Sequence, residues 1–453
     1  MAIWSVNCYI DIRIILLYIK HHRCRYNTMA ELKSEIKPDD RLTESLLQVN
    51  RLQYRLPPEI GVARAKTVVV DHFQESKYVQ GRRMVLDAQT GSSFIDARNS
   101  WLEFTLVADG TDALTLGSGS AMNVIDNVLI KGRGGREVCR IEKANLFSKF
   151  KQQWENPLGW TNSVGPNQGY ATITSASVSG TAVNVKTPVE RRFAIPLSAL
   201  APVFDQDKLL PAQMMEGLRM ELTLATVGAA LVQDGAATDG SYYVENPEVH
   251  WAAVDLSDQF KRKINEISAQ RGLNLMHKEW YHQETGGAAT TTYDFDIRKA
   301  ASKALKSMTI SRVTASIDSE LKDIDGMNSE AFLYTRAQSH IGADYFPQQA
   351  MTGSATNWTT FYQHALSAWG KMSATWSPPT TTYANYGAVS ASHCISLNKS
   401  GGVSDLDGYQ VNNSRALVHN FVFEGPAVAR TLDSYLQHVR LLQIFPSSIL
   451  IKD

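Results

Sequence analysis

The chain has 453 residues, more than one hydrophobic core usually serves, so two domains are expected. Apolar residues make up 43% and charged residues 20%, the balance of a packed protein, which excludes a disordered chain. The 45 basic side chains match 45 acidic ones, unlike a protein that wraps a genome through basic excess and counterion release.

In chain order, the first 28 residues stand apart. The apolar run Ile14–Ile19 is approached through Asp11 and Arg13, and the basic cluster His21, His22, Arg23 and Arg25 follows it. A signal peptide has the reverse order and a small-residue cleavage site, and a membrane span needs roughly 20 apolar residues. Met29 opens an ordinary sequence. The expectation is therefore that translation starts at Met29 and that 1–28 is an upstream leader. Residues 29–62 are read as an arm. Leu42, Leu46, Leu47 and Leu52 among charges predict a short amphipathic helix, stopped at Pro57–Pro58. The arm is either a solvated tail or a clasp on a neighbour.

Strand signals begin at Thr67 with Val68–Val70 and continue at Met84–Leu86 and Trp101–Val107. In the last of these, Leu102, Phe104 and Leu106 share one face, and Trp101, Glu103, Thr105 and Val107 share the other. Turn signals at Asp109–Gly110 and Gly117–Ser120 separate short strands, the mark of a sandwich or barrel. Asn123–Phe147 predicts a hairpin. Val124, Ile125, Val128, Leu129 and Ile130 form one strand, Val138 and Ile141 the other, and Gly132, Gly134 and Gly135 supply the turn. Residues 161–187, almost uncharged, read as a long surface excursion. Arg191–Ala225 predicts a strand (Phe193, Ile195, Leu197), a helical turn at Ser198–Phe204 and Leu209–Pro211 packed inward. An alternating strand closes that block, with Leu218, Met220, Leu222 and Leu224 between Arg219, Glu221 and Thr223.

Asp255–Arg271 is the clearest helix. Leu256, Phe260, Ile264 and Ile267 recur at helical spacing opposite Lys261, Arg262, Lys263 and Glu266. Asp255, Ser257 or Asp258 can cap it and Gly272 can end it. The domain boundary is placed here, giving 63–254, a linker helix 255–273, and 274–453. The second half repeats the β character at Thr290–Ile297 and Met308–Ile317. Thr352–Asn398, low in charge and rich in Trp, Tyr, Thr and Ser, is read as long loops. Leu432–Ile451 fits helix or strand by period. Pro446 blocks a continuous helix, and Ile449 and Ile451 favour a closing strand. The halves share a pattern without a strict sequence repeat.

Four short segments carry a resemblance. Ile141–Leu146 (Ile-Glu-x-x-Asn-Leu), Ile195–Ser198, Leu209–Pro211 and Gly217–Leu222 resemble the first domain of double-jelly-roll major capsid proteins. The similar proteins are those of polinton-like viruses, virophages and adintoviruses. The match covers roughly residues 65–255, and beyond it only length, β pattern and a closing strand are similar. The chain is short for this family, which implies reduced surface loops. The resemblance implies an all-β fold: two tandem eight-stranded antiparallel jelly rolls, joined by a helix-containing linker, with short helices in loops. It further implies a structural subunit that forms a homotrimer, a pseudo-hexameric capsomer tiling an icosahedral virion shell. Partners would be neighbouring capsomers and minor or penton capsid proteins. The location would be the virion, after assembly in the host cytoplasm or nucleus. Direct sequence-specific binding to nucleic acid is not expected, and an internal membrane is left open. No catalytic, cofactor-binding or metal-ligating residue is assigned.

Other chemistries have candidate residues in the chain. Lys131, Arg133 and Arg136 around the hairpin glycines suggest a phosphate loop, but the required Gly-Lys-Ser/Thr and following helix are missing. His277 with Glu279 and His282 with Glu284 suggest a metal or acid–base site. The two histidines are one residue too far apart for the helical zinc pair. Asp294 and Asp296 would suit glycosidase chemistry but alternate with Phe295 as on a solvated strand face. No Gly-x-Ser-x-Gly elbow is present. A carbohydrate-binding β-sandwich is the alternative function, with Trp358, Trp369 and Trp376 as stacking candidates. Cys139 and Cys394, the only cysteines after Cys8 and Cys24, are too few for a disulfide framework and fit a reducing compartment. The glycosylation-type triplets at Asn357, Asn398 and Asn412 lack a secretory signal and are read as chance.

Overall fold

The computed structural model describes residues 62–452 except 110–112, 117–119, 171–188, 235–239, 300–301, 318–326, 373–376 and 400–407. The expected leader, the arm helix, most of the 161–187 excursion and Trp376 lie outside the described residues.

Segments with alternating hydrophobicity become strands. The first half contains β1 (Val62–His72), β2 (Arg83–Asp87), β3 (Trp101–Asp109), β4 (Ile125–Lys131), β5 (Glu137–Ile141), β6 (Val189–Pro196), β7 (Arg219–Leu224) and β8 (Ser241–Leu256). The second half contains β9 (Leu273–Gly286), β10 (Thr292–Ile297), β11 (Ser302–Val313), β12 (Tyr334–Ile341), β13 (Asp344–Thr352), β14 (Ser392–Ser396), β15 (Leu417–Phe423) and β16 (Arg430–Ile444). The first half builds sheets ordered β1-β8-β3-β6 and β2-β7-β4-β5, all pairs antiparallel. The second half builds β9-β16-β11-β14 and β10-β15-β12-β13, again antiparallel. Raising every index in the first half by eight reproduces the second half. In each half the first strand meets the eighth, the second the seventh, the third the sixth and the fourth the fifth. That is the jelly-roll arrangement, and it occurs twice. Short accessory strands extend the larger sheets without changing this order.

Local chemistry explains the elements. In β3, Leu102, Phe104 and Leu106 are buried while Trp101, Glu103 and Thr105 are half-buried, as the alternation predicted; Val107 is buried as well. The β4–β5 hairpin turns through Gly134 and Gly135 at φ 77° and 75°, a region costly for other residues. The linker helix runs Asp258–Arg271, with Ser257 at its N-cap and Gly272 at φ 73° ending it.

Several expectations need correction. The linker helix does not bury its apolar stripe. Phe260 and Ile267 are 44% and 38% exposed, and the helix buries only Ser268, whose hydroxyl donates to the Ile444 carbonyl at 3.1 Å. Leu256 belongs to β8. Leu209 is exposed, whereas Leu210 and Pro211 are buried. The return strand of the hairpin ends at Ile141, and α1 (Ala144–Glu155) follows. The 352–398 tract is not simply loop: it holds α2 (Thr359–Ala368), α3 (Tyr383–Ala388) and β14. Leu432–Ile451 is strand throughout except for a turn at Pro446, since β16 leads into a closing strand Ile449–Lys452. No helix among the described residues is long and apolar enough to cross a membrane.

Candidate functional site: the seam between the two sandwiches

The most elaborate chemistry among the described residues lies where the halves meet. α1 sits in the connection from β5 to β6, and its Phe147, Phe150 and Trp154 recur at helical spacing and are fully buried. Phe147 reaches the second sandwich, its ring 5.0 Å from Trp280 and 5.1 Å from Tyr435. Trp154 meets Tyr386 edge-on at 5.9 Å. The backbone also crosses. Leu158 N–H donates to Pro378 O at 3.0 Å, and Thr380 N–H to Asn156 O at 3.0 Å. Aromatic groups of this size are worth roughly 1.5–3 kcal/mol each on burial, so the halves are fused rather than merely tethered.

A charged cluster lies beside Phe147. Lys143 takes a left-handed backbone at φ 48°, unusual for a residue with a side chain. That conformation leads the chain into α1 and its ammonium to the second sandwich, 2.9 Å from Asp433 Oδ1 and 2.8 Å from Glu284. Asp433 is fully buried and also accepts from Arg312 Nη2 at 2.5 Å and Nε at 3.1 Å, with His282 Nε2 at 3.0 Å. Burial alone would raise its pKa. The His282 hydrogen bond and the charges of Arg312 and Lys143 outweigh burial and hold the carboxyl well below the usual range. Tyr435 closes the cluster by donating to the Lys143 carbonyl at 3.1 Å.

A second polar contact repeats the theme. Glu279 accepts from the Arg140 backbone N–H at 3.0 Å and pairs with Arg440 at 2.7 Å, and Arg440 donates to Val138 O at 3.2 Å. The Lys143 ammonium crosses between the halves as a charge, whereas Glu279 and Arg440 neutralise each other and reach the first half through its backbone, so that no charge is left unpaired where that would be costly. A cleft of about 440 Å³ opens alongside, lined by Arg83, Asp126, Arg140, Lys143, Glu221 and His282 among others. Two of its carboxylates face cations: Glu221 holds Lys131 at 2.7 Å and Arg83 at 3.2 Å, and Glu142 holds Arg140 at 3.0 Å.

The rival site residues fall as follows. His277 and Glu279 lie on the opposite face of β9 from His282, so the two His–Glu pairs do not converge. Among the basic residues of the hairpin turn, Lys131 is committed to Glu221, and Arg133 to Glu216 and the Pro446 carbonyl. Asp294 is exposed and accepts from Asn420, while Asp296 pairs with Arg298. Trp369 is buried against Trp280, their rings stacked at 5.8 Å, with the Lys306 ammonium 3.9 Å over it. Trp358 donates its indole N–H to Tyr383 O at 2.9 Å and stacks on the Tyr383 ring. Glu103, Glu248 and His250 lie close enough to chelate a cation, but the Arg192 guanidinium bridges both carboxylates and supplies the counter-charge itself. Cys139 and Cys394 are buried free thiols.

Sequence reasoning missed a polar chain inside the second sandwich. Ser339 Oγ lies 3.1 Å from His393 Nε2 and 2.7 Å from His419 Nδ1, and Ser307 Oγ lies 3.3 Å from His419 Nε2. All four residues are buried. Desolvation pushes both histidines down, His419 to about 3. Both are therefore neutral at pH 7.

With this geometry in view, the likeness to solved structures is specific. The Faustovirus major capsid protein aligns at TM-score 0.58 and 8% identity, over 95% of this chain and 96% of that one. A PBCV-1 virus capsid model aligns at 0.55 and 11%, over 88% of this chain and 99% of that one. The mavirus major capsid protein aligns at 0.52 and 9%, over 88% and 92%. Neither a protein-family model nor a curated protein sequence matches the chain. These likenesses define the class of fold: the chain is a double jelly roll of the kind that viral major capsid proteins have.

Proposed function

We propose that this chain is the major coat protein of an icosahedral virus, acting as a structural subunit with no catalytic step. Three copies form a pseudo-hexameric capsomer, capsomers tile the shell, and minor or penton proteins fill the remaining positions. The observation that carries this reading is the seam. Two sandwiches of identical strand order are locked by buried aromatics and paired charges into one block. A rigid double block suits repeated lateral packing, and closed symmetry needs a subunit that keeps its shape. The carbohydrate-binding alternative draws less support, because Trp369 is buried and Trp358 is held by Tyr383.

Light scattering on the purified full-length chain tests the proposal. The expected mass is three times that of one chain, rising to large particles as concentration increases. A monomer or dimer that binds glycan would overturn it in favour of the alternative.

A further inference from the structure

The larger sheet of the second sandwich carries one cation that no carboxylate of the described residues reaches. Trp280 of β9, Gln437 of β16 and Lys306 of β11 lie opposite one another in register and form one row across three strands. The Lys306 ammonium sits 3.9 Å over the Trp369 ring and 5.8 Å from that of Trp280. Indole faces attract a cation but do not neutralise it. Among the described residues Lys306 has neither an ion pair nor a hydrogen bond. Burial pushes its pKa down to about 8, against the pull of Glu155. Beside it the Gln437 side chain is 7% exposed, and it too has no hydrogen-bond partner among the described residues. Two neighbouring donors are thus largely withdrawn from water and left uncommitted, an arrangement that costs stability unless an acceptor arrives.

Both groups border a cleft of about 330 Å³, within the span of small-molecule sites, roughly 300–1,000 Å³. The halves share this cleft. The first lends Lys151 and Glu155 of α1 and the Arg98–Asp205 pair, and the second lends Met276 and Val439. The carboxylates here are already taken: Glu155 pairs with Lys151 at 3.5 Å, Asp205 with Arg98 at 3.1 Å, and Asp207 also binds Arg98. They repel a ligand that carries several negative charges. A carboxylate offers one charge and two acceptor oxygens, which matches one ammonium and one amide. We propose that this cleft binds a small organic acid, whose carboxylate pairs with Lys306 and accepts from Gln437 while its carbon body rests against Met276 and Val439. Because both halves line the cleft, the bound acid stabilises the folded block by mass action. This inference goes beyond the coat-protein reading and holds or fails independently of it.

The test is calorimetric titration of the full-length chain at constant ionic strength, with sodium benzoate, sodium acetate and inorganic phosphate as probes. Benzoate or acetate should bind saturably at one site per chain and raise the thermal midpoint, and phosphate should bind more weakly. Lys306→Met should weaken the binding by about tenfold or more. It should not lower the midpoint of the ligand-free chain, since it removes an unpaired charge. Gln437→Glu, nearly isosteric, sets a carboxylate beside Lys306 and should abolish the binding while the ligand-free midpoint rises. No saturable binding of either acid by the wild-type chain, tighter binding of phosphate, or undiminished binding by either variant would overturn the inference. A lower ligand-free midpoint in both variants would show that the ammonium is already satisfied, and would overturn it as well.

Discussion

The two sandwiches are built on one strand order and stabilised in different ways. The first has an apolar interior, with Leu102, Phe104, Leu106, Ile130, Phe193, Leu222 and Trp251 fully or almost fully buried. The second threads Ser307, Ser339, His393 and His419 through its interior and buries charges on the outer face of its larger sheet. Topology therefore follows from where strands pair, not from how apolar each core is. The second sandwich pairs its buried charges largely within itself, Asp433 with Arg312 and Glu279 with Arg440, and depends on the first for the rest, Lys143 for Asp433 and the Arg140 backbone for Glu279.

If that dependence is real, the largest effect should come from the seam. Asp433→Ala removes the carboxylate shared by Arg312, His282 and Lys143 in the buried cluster and should cost about 3–5 kcal/mol, read by urea denaturation of the full chain. Phe147→Ala empties the space between Trp280 and Tyr435 and should cost about 3–5 kcal/mol, with both sandwiches unfolding at lower denaturant. Acid should separate the two cores next. His393 and His419 have depressed pKa values when folded, so the stability they permit is present above the unfolded value of about 6.5 and is lost as pH falls below it. Between pH 7 and 5, with a folded pKa of about 3, His419 should account for about 2 kcal/mol of lost stability. His419→Gln should flatten that loss, and an unchanged pH profile would show that protonation of this core is not what acid acts on. The depressed Asp433 carboxyl loses its contribution only in more acidic solution, below the ordinary carboxylate pKa of about 3.9. The core of the second sandwich should thus weaken before the seam does. The smallest effect belongs to the smaller sheet of the first sandwich, at the rim of the cleft. Glu221→Gln, which releases the partly exposed Lys131 and the exposed Arg83, should cost no more than about 1 kcal/mol and should matter less in high salt.

How much of this was legible in the sequence differs between the halves for a physical reason. Strands of the first sandwich bury one face, so β3 and β7 show the alternation that reveals strands. β16 is buried along almost its whole length, on both faces, and β11 nearly so, and a strand covered twice loses its alternation. The two helices in 352–398 lacked charges to mark a polar face, so their low-charge tract read as loop. α1 did carry a signal, since Phe147, Phe150 and Trp154 follow a helical period directly after the hairpin. The seam was only half visible. Arg312 beyond Ile310 and Asp433 beside Leu432 are charges set among apolar residues, a pattern that points to a buried pair without naming the partner. Lys143, 290 residues from Asp433, could be found only in three dimensions.

Electron microscopy of the purified full-length chain tests the central claim most directly. If two fused sandwiches form one building block, single particles should show threefold symmetry with a six-cornered outline, each corner one sandwich. Particles with two separately moving lobes, or isolated single blocks at every concentration, would contradict it.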